Sequence, residues 1–282
     1  MALETEYANL VTIEEQLAAE VVPAFVAQSV CRPLVMVDQL SGGAKISEFE
    51  KQGSLTASTP GESTAPTKQE LTDSKVQVTA VKATVWTEES AESAIYIGSK
   101  GRDRLVYAMS NALSRHFDST ILALTSSVSA EAGTTGNALD EDAVIQAQYL
   151  LGAGNVVGNA TCVISPKGAK DLRTAFKDNG AISLNSIAQR GLENGQQNPL
   201  NWVGNILGMD FYKSTSVYND GTDDYALIFT PYGIGVAEAN GGEIVYMEAQ
   251  VPSKATFERS LSYFYGAAIV TNGALVKLRY VD

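Results

Sequence analysis

From Ile46 to Trp86 the chain reads ISEFEKQGSLTASTPGESTAPTKQELTDSKVQVTAVKATVW, two strand-like pieces separated by about 26 residues dominated by Gly, Ser, Thr, Pro and Glu. Such a middle has too few large apolar groups to build a core and favours extended or disordered chain. A fold that carries it must hold the two flanks together and let the rest project. The spacing therefore predicts a long, twisted hairpin leaving a body. In the second flank Val76, Val78 and Ala80 alternate, and the apolar phase then slips by one to Val81, Ala83 and Val85, the pattern a β-bulge produces.

The body is announced further on by a change of period. Leu105, Met109, Leu113, Phe117, Ile121, Leu124 and Val128 share one helical face, with Ala112 filling between them. A helix starting near Gly101 with this stripe runs roughly 40 Å, long enough to act as the spine of a domain. Upstream, Thr12 and Glu15 have capping-box spacing, and Ile13, Leu17, Val21 and Phe25 follow at intervals of four, so a short amphipathic helix is expected to end near Arg32-Pro33.

After a break at residues 132–136, Asp140 opens a second helix with Ala143, Val144, Ala147, Leu150 and Leu151 on one side, stopped by Gly152 and Gly154. The segment TCVISPKGAKDLRTAF then gives the sharpest local signal in the chain. A buried-strand pattern at residues 161–164 runs into Ser165 as N-cap and Pro166 at the first helical position. Beyond a Gly- and Asn-rich stretch, MDFYKSTSV, YALIFT, GEIVYMEAQ, YFYGAAIV and ALVKLRYV read as strands. Helices and strands do not interleave regularly, which predicts an α+β class.

Chemistry is harder to find. Twenty basic against 32 acidic residues give a net charge of −12, which repels a phosphate backbone and argues against nucleic-acid binding as the main role. The N-terminal MALETEYANL has acids where a secretory leader needs bases, and the apolar run at residues 21–27 is interrupted by Pro23, so neither a leader nor a membrane span is expected. Cys31 and Cys162 stand alone and read as small buried apolar groups. His116 is the single histidine and borders the apolar stripe, where a packing role outweighs catalysis. Gly152, Gly154 and Gly158 have the wrong spacing for a dinucleotide loop and follow a helix. Asp140-Glu141-Asp142 and Asp223-Asp224 sit where caps and turns want short acids. Asn159-Ala160-Thr161 is a chance sequon, and Lys100, Arg102, Arg104 and Arg115 suit a solvated or intersubunit face. No metal or cofactor is expected.

The order of these segments, a helical arm, a polar hairpin, a spine helix, a strand-Ser-Pro-helix unit and closing strands, resembles the major capsid proteins of tailed bacteriophages with the Hong Kong 97-type fold. The resemblance implies an N-terminal arm at residues 1–40, an extended loop at 41–86, a peripheral domain at 87–151 and 236–282, and an axial domain at 152–235. It also explains the polar hairpin, because in that family the extended loop reaches over a neighbouring subunit and finds its partners only in the shell. Intersubunit contact is expected at Phe49, Lys51, Leu55, Lys68, Leu71, Arg102 and Arg104.

The implied function is a virion shell, assembled in the host bacterial cytoplasm from hexamers and pentamers and enclosing double-stranded DNA without reading it. Implied partners are further copies of the chain, a portal protein, a separate scaffolding protein and a decoration or cement protein. No long charged helix precedes the body to serve as a built-in scaffold, and nothing identifies a crosslinking partner for Lys51, Lys68 or Lys75. Two other readings compete. One is an encapsulin-type nanocompartment, set apart by protein cargo; the other is a soluble hydrolase or binding protein with a small-molecule pocket near residues 152–158.

Overall fold

The computed structural model describes residues 29–41, 43–51, 74–154, 159–178, 201–251 and 253–281. Helix α1 (Ala91–Ala123) is the spine, 33 residues and about 50 Å long. Met109, Leu113, Phe117 and Ile121 face inward as the period requires, and Ala112, expected to fill between them, faces out. The helix starts ten residues before Gly101 because a strand ends directly against it at Ser90. It stops at Ala123, so Leu124 falls in a 3-10 turn (Leu124–Ser127) and Val128 is buried from an extended segment. The expected arm helix lies mostly outside the described residues; its expected end is a single 3-10 turn, Arg32–Leu34.

The strands in chain order are β1 (Met36–Gln39), β2 (Ile46–Lys51), β3 (Ser74–Thr79), β4 (Val81–Ser90), β5 (Glu131–Gly133), β6 (Thr161–Ile164) and β7 (Trp202–Ile206). They continue with β8 (Met209–Lys213), β9 (Tyr218–Asn219), β10 (Asp223–Phe229), β11 (Ile234–Glu238), β12 (Val245–Val251), β13 (Thr256–Ile269) and β14 (Leu275–Val281). β2 and β3 form a two-stranded hairpin. β1, β11, β13, β12 and β4 form a five-stranded sheet in which β13 pairs with β4, β11 and β12. β5, β14, β10, β6, β8 and β7, with β9 beside β10, make the second sheet of seven.

The slip in apolar phase after Ala80 is therefore not a bulge inside one long strand. At Ala80 the chain leaves the hairpin, and β4 enters the five-stranded sheet beside β13. Val78 faces the hairpin's seat, whereas Ala83 and Val85 pack toward α1. A one-residue change of phase is what a strand needs when its core changes sides.

α1 lies between the two sheets. Its inward residues share one core with Val236, Leu261, Tyr263 and Tyr265 of the five-stranded sheet and with Val163, Leu227 and Phe229 of the other. Each of these large apolar groups contributes about 1.5–3 kcal/mol on burial. Phe117 and Tyr265 stack with ring centroids 4.9 Å apart and planes at 49°. His116, beside Phe117, bonds the Tyr265 hydroxyl through Nδ1.

The opposite face of the seven-stranded sheet forms a second core. Cys162, Ile164, Ala226, Ile228, Val276 and Leu278 meet α2 (Glu141–Ala153) and α3 (Pro166–Asp178) there. β10 is buried at all seven positions because it is covered on both sides, which is why YALIF carries no polar alternation. Both helix starts are as the sequence indicates. Asp140 Oδ1 accepts from the Ala143 amide at 2.9 Å, and Ser165 Oγ accepts from the Gly168 amide at 3.1 Å.

The expected domain boundaries cut differently from the sheets. β14, expected to return to the spine helix, pairs with β10 and β5 in the seven-stranded sheet. α2 packs in that sheet's core as well. Strand pairing between segments 46 to 146 residues apart decides this, and local periodicity carries no record of it.

Candidate assembly interface

The hairpin has two unlike faces. Ser47, Phe49 and Val78 are buried, while Ile46, Glu48, Glu50, Lys75 and Gln77 point away. On the outer face Glu48 accepts from Lys75 Nζ and Gln77 Nε2, each at 3.0 Å. The Lys75 ammonium lowers the Glu48 pKa and is itself raised by it, as an exposed ion pair should do.

The inner face is keyed into the five-stranded sheet through two glycines. The Phe49 ring lies 2.8 Å from where a Cβ on Gly235 would stand, and the Thr79 carbonyl oxygen lies 2.2 Å from the same position on Gly266. Phe49, only 6% exposed, packs with Val78, Ala237 and Val270 in a small core of its own. The Ala80 amide donates to the Lys45 carbonyl at 2.8 Å and closes the root, while Ser47 Oγ donates to Asp38 of β1. Side-chain-free positions at these two points let backbone and ring approach closely.

A second set of contacts fixes the chain just before β1. Asp118 of α1 is 4% exposed and accepts from Ser29 Oγ at 2.7 Å and from the Val30 and Cys31 amides at 3.0 Å each. Burial raises its pKa, against the opposing pull of those donors. One residue on, Arg32 makes a two-pronged bond to Glu238 of β11, Nε to Oε1 at 2.9 Å and Nη2 to Oε2 at 3.0 Å, with the Glu238 side chain wholly buried. Residues 29–32 are thus clipped to the helix and to the sheet by two buried carboxylates.

These positions compare unevenly with the expected contact residues. Phe49 is spent inside the subunit, because the hairpin needs an apolar key at its root, so it offers a neighbour almost no surface. Lys51 is exposed at the hairpin's described end, and Arg104 is exposed on α1; among the described residues neither joins an ion pair. Leu55, Lys68 and Leu71 fall outside the described residues, as does the side chain of Arg102. Asp118 and Glu238 went unread. A signal for the first existed in Ser110, Ser114 and Asp118, three polar residues four apart beside the apolar stripe, all buried.

The remaining acids serve turns. Asp223 accepts from Arg279 Nε at 2.8 Å and from the Gly136 amide at 3.2 Å, and Asp224 accepts from Asn219 Nδ2 at 2.9 Å. Asp220 Oδ1 accepts from the Asp223 and Thr222 amides at 2.9 Å each, and its Oδ2 from the Tyr225 hydroxyl at 2.8 Å. These donors, the Asp223 amide foremost, hold the Asp220 carboxyl down to about 2. Its folded value lies below the ordinary 3.8, so the turn's contribution is complete above the ordinary carboxylate range and is lost as pH falls toward about 2. Carboxyl-carbon NMR of the subunit should show the Asp220 midpoint near 2, and a midpoint near 4 would mean these bonds do not persist in solution. Of the dinucleotide-like segment, residues 155–158 lie outside the described residues.

Such an arrangement defines a class before any comparison is made: a two-sheet α+β subunit with a long spine helix and a keyed hairpin, the Hong Kong 97-type architecture. Comparison agrees. The mycobacteriophage Ogopogo structure matches with TM-score 0.65 at 14% identity, over 90% of this chain and 92% of that one. The capsid of an empty GTA particle matches with TM-score 0.64 at 15% identity, over 91% and 90%. A virus-like particle from Pyrococcus furiosus matches with TM-score 0.61 at 12% identity, over 94% and 99%. No curated protein matches the chain. The model of the phage capsid family matches residues 9–229, and the chain belongs to that family. It is a structural protein of a phage capsid.

Proposed function

We infer that the chain builds the wall of a tailed-phage head, joining copies of itself into hexamers and pentamers around double-stranded DNA. The observation that carries this reading is the keyed hairpin. Its described strands are locked to the sheet through Phe49 and Gly266, so residues 52–73 start and return at one fixed place on the subunit. A loop held at its root and rich in polar residues suits a neighbour's surface better than its own core. The α1 layer with the five-stranded sheet corresponds to the peripheral part of such a subunit, and the seven-stranded sheet with α2 and α3 to the axial part.

The net charge of −12 is compatible with enclosing DNA, since a closed wall needs no phosphate contacts. The role is structural and not enzymatic: the described polar clusters around Asp118, Glu238, Arg259 and Arg279 are spent on bonds that hold elements together. A portal protein, a separate scaffolding protein and a decoration protein are the partners such a head requires or accepts, with assembly in the bacterial cytoplasm. The likeness to the Pyrococcus furiosus particle keeps a nanocompartment shell as the second reading, told apart by protein cargo in place of DNA.

Deleting residues 54–72 tests the assembly role. The subunit should keep its melting transition and lose closed particles in electron micrographs. Particles at normal yield from the deleted chain would refute the loop's role.

A further inference from the structure

Among the described residues β4 pairs with β13 alone, leaving one edge of the five-stranded sheet without a strand partner from Val81 to Glu88. An edge this long is an open row of backbone donors and acceptors. Proteins usually blunt such edges with charge, proline or a bulge, yet β4 exposes Trp86 at 56% and Val81 at 65%. Lys82 is the one cation on the strand, and among the described residues it has no ion-pair partner.

The charges on β4 are complementary to themselves. Lys82, Thr84, Trp86 and Glu88 share the face away from α1, since Ala83 and Val85 between them pack on its core, and Glu88 on that face also meets Lys254 Nζ at 3.6 Å and accepts from Thr256 Oγ1 at 3.1 Å within its own subunit. Lys82 and Glu88 lie three residues on either side of Val85. An antiparallel copy of β4 centred on Val85 would set each Lys82 opposite the other strand's Glu88 and each Thr84 opposite the other strand's Trp86. Opposite residues on one face attract when their charges differ, and the indole gains a β-branched neighbour. In this register no like charges on the shared outer face oppose each other.

We propose that β4 is a second contact between subunits, an isologous strand pair formed with β4 of another copy about a two-fold axis through Val85. The proposal rests on the shell reading for its biological setting, but the contact itself can be tested on purified subunits. A two-fold contact of this kind joins subunits pairwise, separately from whatever the hairpin reaches.

Val85→Cys places two thiols opposite each other at the axis, where antiparallel Cα separations of about 4.5–5.5 Å lie within the span a disulfide accepts. Oxidation of concentrated Val85→Cys subunits, or of particles, should trap a dimer. Thr84→Cys, two positions out of register with its own copy, should trap little, and the native Cys31 and Cys162 are buried and do not compete. Adding Lys82→Glu turns two attractions into two repulsions and should lower the trapped fraction about tenfold, with Glu88→Lys in the same chain restoring it. Equal trapping by the two cysteine variants, none by Val85→Cys, or indifference to the charge swap would overturn the strand pair. Wild-type particles seen by electron microscopy would meanwhile sustain the shell reading, and their absence would count against that reading alone.

Discussion

Asp118→Ala is expected to destabilise the subunit by about 3 kcal/mol, the sum of three buried donors left without an acceptor. Ser29 Oγ and the Val30 and Cys31 amides all end on this one carboxylate, so its loss frees them together. The bidentate Arg32 bond to Glu238 remains and keeps the chain near β11, which makes the defect local at first. Protease should therefore reach the chain around residues 29–31 before the body unfolds, and thermal melting should shift by several degrees. Asp118→Asn keeps one acceptor oxygen and should cost roughly half as much. Equal stability of the alanine variant and the wild type would show that the clip is not formed in solution.

The second large effect lies at the hairpin root. Gly266→Ala puts a methyl where the Thr79 carbonyl oxygen already stands, 2.2 Å away, and backbone cannot yield as a side-chain tip can. Overpacking of this kind costs about 1–3 kcal/mol, and lifting the hairpin off the sheet is the least costly relief. Hydrogen exchange should then show β2 and β3 losing protection while β11 and β13 keep theirs. Gly235→Ala meets the Phe49 ring at 2.8 Å, a group that can tilt, so its effect should be smaller. If both substitutions left the hairpin amides protected, the two-glycine seat would not be what holds it. In particle assays, Gly266→Ala should resemble the loop deletion, because a loop delivered from the wrong place is as unhelpful as none.

These predictions fall on residues the sequence did not single out. Glycines at 235 and 266 carry no local signal of this role, since nothing nearby in the chain records that Phe49 and Thr79 will arrive there from nearly 190 residues away. Asp118 was one step from legible, in a polar stripe four residues apart along an apolar helix, but its partners lie 87–89 residues upstream. Phe49 shows the reverse case. Its place in a polar hairpin suggested a neighbour's surface, and the fold supplied a socket within the same subunit.

What the sequence determined by itself is the set of elements whose cause is local. The spine helix follows from a four-residue apolar repeat, the starts of α2 and α3 from Asp140 and Ser165-Pro166, and the YALIF strand of β10 from an unbroken apolar run. Side-chain period and capping chemistry act over a few residues and can be read there. Only the tertiary structure decided which strands share a sheet, that the slip after Ala80 marks a change of sheet, and that β14 joins β10 instead of the spine helix. Those outcomes depend on cross-strand packing and on buried carboxylates finding distant donors, interactions whose energy exists only once the chain has brought the partners together.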